Sequence, residues 1–222
     1  MKKLLLPITL LSFLVPSSIW AVAPNEDPVL GAARTEAADQ ASTAESVAKA
    51  AKDAAIAEGL TEEDAITEAA YAASRAVAEK EFEASGDATL AGEKARDAAL
   101  AAGIDEADAG WIAGNEAAEG VVQKALAEGK TAAQVAAIAK TAAEGAGLDS
   151  EAATERAADI AAEKVAEKAI AEGKTASEVA VETKAAAEGA GLDPEAATER
   201  AADIAAEKVA EKAIAEGKTA SE

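Results

Sequence analysis

The 222-residue sequence contains neither cysteine nor histidine. Without cysteine no disulfide can form, and no thiolate can act as a nucleophile or bind a metal. Without histidine, the usual general base and the imidazole ligand of zinc and copper are missing as well. Catalysis would need a Ser–Lys or carboxylate scheme, and no pattern in the sequence places such groups in a pocket. The sequence therefore predicts a protein that is not an enzyme and that uses no cofactor.

Aromatic residues and proline are scarce, and alanine takes their place. Aromatics make up 2% of the chain and there are 5 prolines, against 69 alanines. Few large apolar residues combined with high net charge are typical of disorder. Alanine, however, is the strongest helix former, and Glu, Lys, Gln and Arg follow closely. We therefore expect helices with a thin core, since a buried alanine contributes only about 0.8 kcal/mol through its methyl group.

The N-terminus differs from the rest of the chain. Lys2 and Lys3 precede an apolar run from Leu4 to Val15, and small residues lead to Ala21. This pattern predicts a secretory signal peptide over residues 1–21, cleaved after Ala21, in a bacterial periplasmic or extracellular protein. Loss of the two lysines would change the formal net charge from −21 to −23. We expect no membrane span after cleavage, and so acidic a chain is a poor partner for nucleic acid.

Residues 43–222 repeat with a period of 44, while residues 22–42 are interpreted as a linker or partial cap. Units begin near residues 59, 103, 147 and 191, and the last is incomplete. Each unit opens with Gly, then Leu or Ile, then a Thr or Asp that suits a helix N-cap. The glycines are Gly59, Gly103, Gly147 and Gly191, and the caps are Thr61, Asp105, Asp149 and Asp193.

A second joint, in the units that begin near residues 103, 147 and 191, contains Gly-Lys-Thr, which is also how a phosphate-binding P-loop ends. A P-loop needs another glycine five residues earlier, and lysine stands there in all three copies, at Lys124, Lys168 and Lys212. A helix corner explains the residues better. Gly129 suits a left-handed helix stop, and Thr131 with Gln134 forms the capping-box pattern, as do the equivalent residues of the later copies.

Two joints per unit predict a long helix, for example over 150–172, and a short one, for example over 176–190. Short turns make them antiparallel hairpins. The predicted fold is all-α, with tandem 44-residue helical hairpins that form an α-solenoid or a repetitive alanine-rich bundle. In the second unit Gly110, Gly114 and Gly120 should interrupt the long helix. Trp111 is interpreted there as a local core anchor rather than a ligand platform.

Two stretches, Glu144–Glu178 and Glu188–Glu222, are identical except for Ser150 against Pro194, which indicates duplication of a unit. The last short helix has barely begun at Glu222, so either the last unit frays or the sequence is a fragment of a longer array; we favour the fragment.

Each duplicated long helix also carries a row of acidic residues four positions apart. We interpret the rows as solvated outer faces of the helices. The alternative interpretation is that they bind divalent cations or a basic partner. The rows are Glu151, Glu155, Asp159, Glu163 and Glu167, and Glu195, Glu199, Asp203, Glu207 and Glu211.

These observations predict an exported, non-catalytic repeat protein that acts as a structural spacer, a scaffold or a protein-interaction module, with an unidentified protein partner or self-association. The alternative is an acidic helical protein of the envelope or exterior whose folding is conditioned by Ca²⁺. Ice binding is disfavoured, because most threonines are explained as helix caps.

Overall fold

The computed structural model describes residues 44–215, and all its regular structure in this range is α-helical. The prediction of an all-α protein is confirmed for this part of the chain. The signal peptide at 1–21, the linker at 22–42 and the last Thr219–Glu222 cap lie outside the described residues. The helices are α1 (Ala44–Ala57), α2 (Glu62–Ser85), α3 (Ala88–Ala102), α4 (Glu106–Ala127), α5 (Ala132–Gly145), α6 (Ser150–Ala171), α7 (Ala176–Ala190) and α8 (Pro194–Ala215).

The joints between helices have the predicted geometry. Gly147 has a φ of +105°, and its N–H and that of Leu148 donate to the Glu144 and Ala143 carbonyls at 2.9 and 3.1 Å. This double hydrogen bond is the Schellman motif, in which a glycine takes the left-handed conformation without steric cost. Asp149 then caps α6, because its carboxylate accepts from the backbone N–H groups of Glu151 and Ala152 at 3.0 and 2.9 Å.

The Gly-Lys-Thr joint is likewise a helix corner and not a phosphate loop. Gly129 ends α4 with a φ of +75°. Thr131 and Gln134 form a complete capping box, in which the Thr131 hydroxyl accepts from the Gln134 N–H and the Gln134 side chain accepts from the Thr131 N–H. Thr175 and Glu178 repeat the arrangement at α7.

The helices contact only their near neighbours along the chain. Each helix packs against the next one and the one after it, and connections of two to four residues make consecutive helices antiparallel. As a result the short helices α1, α3, α5 and α7 pack beside one another, and the long helices α2, α4, α6 and α8 do the same. The duplicated stretch therefore places α7 and α8 beside α5 and α6.

The interior is built almost entirely of alanine. The largest side chains that are fully buried are four valines, Thr183 and Ser74. The two hydroxyls donate to the backbone carbonyls of Val179 and Ala95, at 2.7 and 2.9 Å, so that neither is buried unpaired. Alanine lets the helices approach closely, since it has only a methyl group beyond the backbone. The valines are Val121, Val122, Val135 and Val179.

Glycine brings the short helices still closer. A Cβ at Gly92 would lie 2.0 Å from the Ala142 carbonyl oxygen, and a Cβ at Gly145 would lie 2.4 Å from that of Thr89. The α3 and α5 backbones therefore touch directly. Helices α5 and α7 approach in the same way, since a Cβ at Gly189 of α7 would lie 2.4 Å from the Cα of Ala133 in α5.

The expectation that glycines interrupt the second long helix is wrong. Helix α4 runs without a break from Glu106 to Ala127. Gly114 and Gly120 lie within it where a neighbour approaches closely: a Cβ at Gly114 would collide with the Leu148 side chain. These glycines lower the helix propensity of α4, but they allow its neighbours to pack closely against it. An argument from propensity alone does not anticipate this packing.

No helix between residues 44 and 215 is long and apolar enough to cross a bilayer.

Candidate functional site: the charged faces of the long helices

Ion pairs join two pairs of adjacent long helices, α2 with α4 and α6 with α8. Between α2 and α4, Arg75 pairs with Glu116 at 2.7 Å and also with Glu119, and Lys124 pairs with Glu83 at 2.7 Å. Glu116 is buried, whereas the pair at Lys124 is more exposed. Because alanine side chains offer few differences in shape, these ion pairs help to define how α2 and α4 are aligned.

Between α6 and α8 the ion pairs involve one of the two acidic rows. Arg200 pairs with Asp159, and Lys208 lies 2.8 Å from Glu163 and 3.8 Å from Glu167. These three carboxylates are half-buried at the contact between the helices, whereas Glu151 and Glu155 at the start of the same row are exposed. The α6 row is therefore solvated at one end and neutralised by α8 at the other.

Lysines also join α6 and α8 to the C-terminal carbonyls of the long helix that precedes each of them. Lys168 of α6 donates to the Leu126 carbonyl of α4, and Lys212 of α8 donates to the Ile170 carbonyl of α6, both at 3.0 Å. A cation is favourable at this position, because the last carbonyls of a helix have no partner within it and carry its negative dipole end.

The electrostatics of the α6–α8 contact reflect partial burial. Burial raises the pKa of Asp159 above its usual range, although Arg200 acts in the opposite direction. Burial disfavours the charged form of Lys208, but hydrogen bonds and attraction from Glu163 and Glu211 outweigh it, so the pKa of Lys208 lies above its usual range. Lys208 is therefore a charged lysine throughout the physiological pH range.

The row on α8 has the same residues but different surroundings. Its five carboxylates are exposed, and Glu211 also pairs with Lys208 of its own helix at 3.3 Å. Two carboxylates one turn apart on α8, Asp203 and Glu207, occupy the positions that Asp159 and Glu163 hold on α6. Within residues 44–215 no group of three or more acidic side chains is arranged to hold a metal ion.

The interpretation of Trp111 as a core anchor is wrong. Its side chain lies on the surface of α4 with 45% of its area exposed, and the Arg156 guanidinium of α6 stacks 4.3 Å from the ring centroid. A guanidinium over an indole ring is a favourable cation–π contact. The sequence could have indicated the surface position of Trp111, because charged residues, Glu155 and Glu199, lie 44 and 88 residues after it, and both are exposed.

One groove, between the α2–α3 turn and α4–α5, brings a serine and a lysine together. Its volume is about 560 Å³ and its lining includes Ser85 and Lys130. The Ser85 hydroxyl donates to the Glu81 carbonyl at 2.8 Å and accepts from the Asp87 N–H, while Lys130 pairs with Glu128 at 3.2 Å. The hydroxyl is thus used in the turn, and it is not hydrogen-bonded to a base that could activate it.

Comparisons with protein-family models, with curated proteins and with solved structures gave no match.

Proposed function

We propose that the chain is an exported, non-catalytic repeat protein that acts as a spacer, scaffold or protein-interaction module. In this proposal its helices form an α-solenoid whose unit is the 44-residue helical hairpin. The observation that carries the proposal is the contact pattern, in which no helix between residues 44 and 215 packs beyond its second neighbour. Contacts restricted to neighbours are what distinguish a stacked array from a globular bundle.

Contacts that recur at the repeat period support the same proposal. Lys168 and Lys212 are 44 residues apart and make the same bond to the preceding long helix. Gly145 and Gly189 are also 44 residues apart, and they touch Thr89 and Ala133, which share that spacing.

Truncation tests the architecture. A chain that stops after Ala171 loses α7 and α8, which is one hairpin. In a stacked array the remaining helices keep their neighbours, so helicity per residue should stay constant by circular dichroism. The maximum dimension from small-angle X-ray scattering should fall by about 8–10 Å, the distance between packed helix axes. Loss of helicity throughout the chain would instead indicate one cooperative core and contradict the array.

Export is tested at the N-terminus. Expression of the complete sequence in a bacterium, followed by fractionation and N-terminal sequencing, should recover the protein outside the cytoplasm with Val22 first. A cytoplasmic product that retains residues 1–21 would contradict the proposed localisation.

The Ca²⁺-conditioned alternative is favoured by one observation, the exposure of the α8 row. The ion pairs of Asp159 and Glu163 with α8 weigh against it for the α6 row, since those carboxylates already have cationic partners. The alternative predicts that millimolar CaCl₂ raises helicity more than NaCl of the same ionic strength. Equal responses to the two salts would reject it.

A further inference from the structure

The groove between the α2–α3 turn and α4–α5 combines an apolar floor with one cation. Phe82 and Ile138 line it and pack in one hydrophobic cluster, where Phe82 is buried and Ile138 is half-buried. Lys130 belongs to the same lining, and among the described residues it pairs with Glu128 at 3.2 Å. The volume of about 560 Å³ lies within the range of roughly 300–1,000 Å³ that is typical of small-molecule sites.

The next unit shows how the equivalent lysine is satisfied. Lys174 lies 44 residues after Lys130, and it pairs with Glu172 at 2.8 Å and with Glu182 at 2.6 Å. The residue 44 positions before Glu182 is Ile138. The groove therefore has an apolar side chain where the next unit has a carboxylate. As a result Lys130 has one carboxylate partner among the described residues, where Lys174 has two.

The other polar side chains of the lining already take part in hydrogen bonds. The Ser85 hydroxyl is bound within the turn. The Thr141 hydroxyl donates to the Ala137 carbonyl at 2.9 Å, and the Asp87 carboxylate accepts from the Leu90 N–H at 3.1 Å. A lysine ammonium has three N–H groups, so the lysine is the side-chain donor of this lining that has room for a further acceptor.

The charges of the lining also limit the kind of ligand. Asp87 and Glu128 place two carboxylates in the same groove, and like charges in contact repel, so a multiply charged anion such as phosphate is disfavoured. A single carboxylate would replace the one that Glu182 supplies in the next unit. An alkyl chain attached to it would cover Ile138 and Phe82, and burial of apolar surface is favourable.

We propose that this groove binds an amphipathic monocarboxylate of the fatty-acid type, whose carboxylate pairs with Lys130 and whose alkyl chain packs on Ile138 and Phe82. The proposal goes beyond the spacer, scaffold or interaction role of the array and does not depend on it.

The probe is decanoate, titrated into the whole ¹⁵N-labelled chain and followed by amide chemical shifts in NMR spectra. The shifts should saturate, and they should be largest around Lys130 and Ile138. Butanoate keeps the carboxylate but has a much shorter alkyl chain, so it should bind at least roughly tenfold more weakly. Decyltrimethylammonium keeps the long chain but has the opposite charge, and it should leave the amides of the groove unshifted.

Two variants test the two parts of the site. Lys130→Met removes the cation, and Ile138→Glu gives Lys130 the carboxylate that Lys174 has in the next unit. Each should weaken decanoate binding by roughly tenfold or more. Glu182→Gln is the matched control, because it removes a carboxylate from the equivalent joint and leaves the groove unchanged, and it should bind decanoate as the parent does. Because Lys130 lies at a joint between helices, Lys130→Met decides the question if Ile138→Glu disturbs the packing.

Three results would overturn the site. Absence of saturable shifts with decanoate would reject the ligand directly. Binding that Lys130→Met leaves unchanged would remove the lysine from the site. Equal shifts with decyltrimethylammonium would show that alkyl chains associate with apolar surface whatever their charge. None of these results alters the truncation and export tests, so failure of the site and failure of the proposed function are distinguishable.

Discussion

Replacing Gly92 by alanine should destabilise the protein although alanine is the better helix former. Gly92 lies in the interior of α3, where Gly→Ala in an exposed helix gains about 1 kcal/mol. Here the new Cβ would lie 2.0 Å from the Ala142 carbonyl oxygen, 2.7 Å from the Ala146 nitrogen and 2.9 Å from the Gly145 carbonyl carbon. All three atoms are backbone, so no side-chain rotation relieves the collision.

The structure gives the size of the effect. An ordinary contact would need α3 and α5 to separate by about 1.4 Å at this point, and a gap of that order forfeits half or more of each dispersion contact along the seam. Overpacking of this kind typically costs roughly 1–3 kcal/mol, which exceeds or cancels the gain in propensity. We expect a net loss of up to about 2 kcal/mol in the free energy of unfolding.

Gly110 provides the matched control. It is also a helical glycine, but a Cβ there would lie 3.6 Å from its nearest neighbour, the Ala146 carbonyl oxygen, which is an ordinary contact. Gly110→Ala should therefore stabilise the chain by up to about 1 kcal/mol. Urea titrations followed by circular dichroism at 222 nm measure both variants. If Gly92→Ala were as stable as Gly110→Ala, the close approach of α3 and α5 would be refuted.

Three further substitutions test individual contacts. Hydrogen bonds to Thr175 in the α7 capping box lower the pKa of Glu178. The ionised Glu178 therefore stabilises the folded protein above its unfolded pKa, and this stabilisation is lost as the pH falls through its folded pKa. Glu178→Gln, which copies Gln134 of α5, should make the urea midpoint less sensitive to acid between pH 5 and pH 3. Trp111→Ala should cost well under the roughly 3–5 kcal/mol of a buried aromatic, measured by urea titration, and a full core penalty would contradict its surface position. Lys168→Met should lower the free energy of unfolding by about 0.3–1 kcal/mol, because it removes the cation from the C-terminal carbonyls of α4. Salt screens this interaction, so the loss should be smaller in 0.5 M NaCl than in dilute buffer.

The helices and their joints could be predicted because the signals are local. A glycine that must take a positive φ, such as Gly147, and a cap that accepts N–H groups two or three residues on, such as Asp149, depend on only a few neighbouring residues. Helix α6 accordingly begins at the predicted Ser150 and ends within one residue of the predicted position.

The contacts between helices could not be predicted in the same way. Gly114 reads as a helix breaker until Leu148 of the next hairpin is placed against it. Asp159 reads as one member of a uniform acidic row, and only the position of Arg200 on α8 separates it from its exposed counterpart Asp203. Both depend on side chains more than 30 residues away, which no local pattern specifies.

The alanine interior has a consequence for how stability varies with temperature. The heat-capacity change of unfolding scales with the apolar area that becomes exposed, and a methyl group exposes less area than the leucine or phenylalanine of an ordinary core. A small heat-capacity change flattens the curve of free energy against temperature. The protein should therefore have modest maximum stability that declines slowly on both cooling and warming.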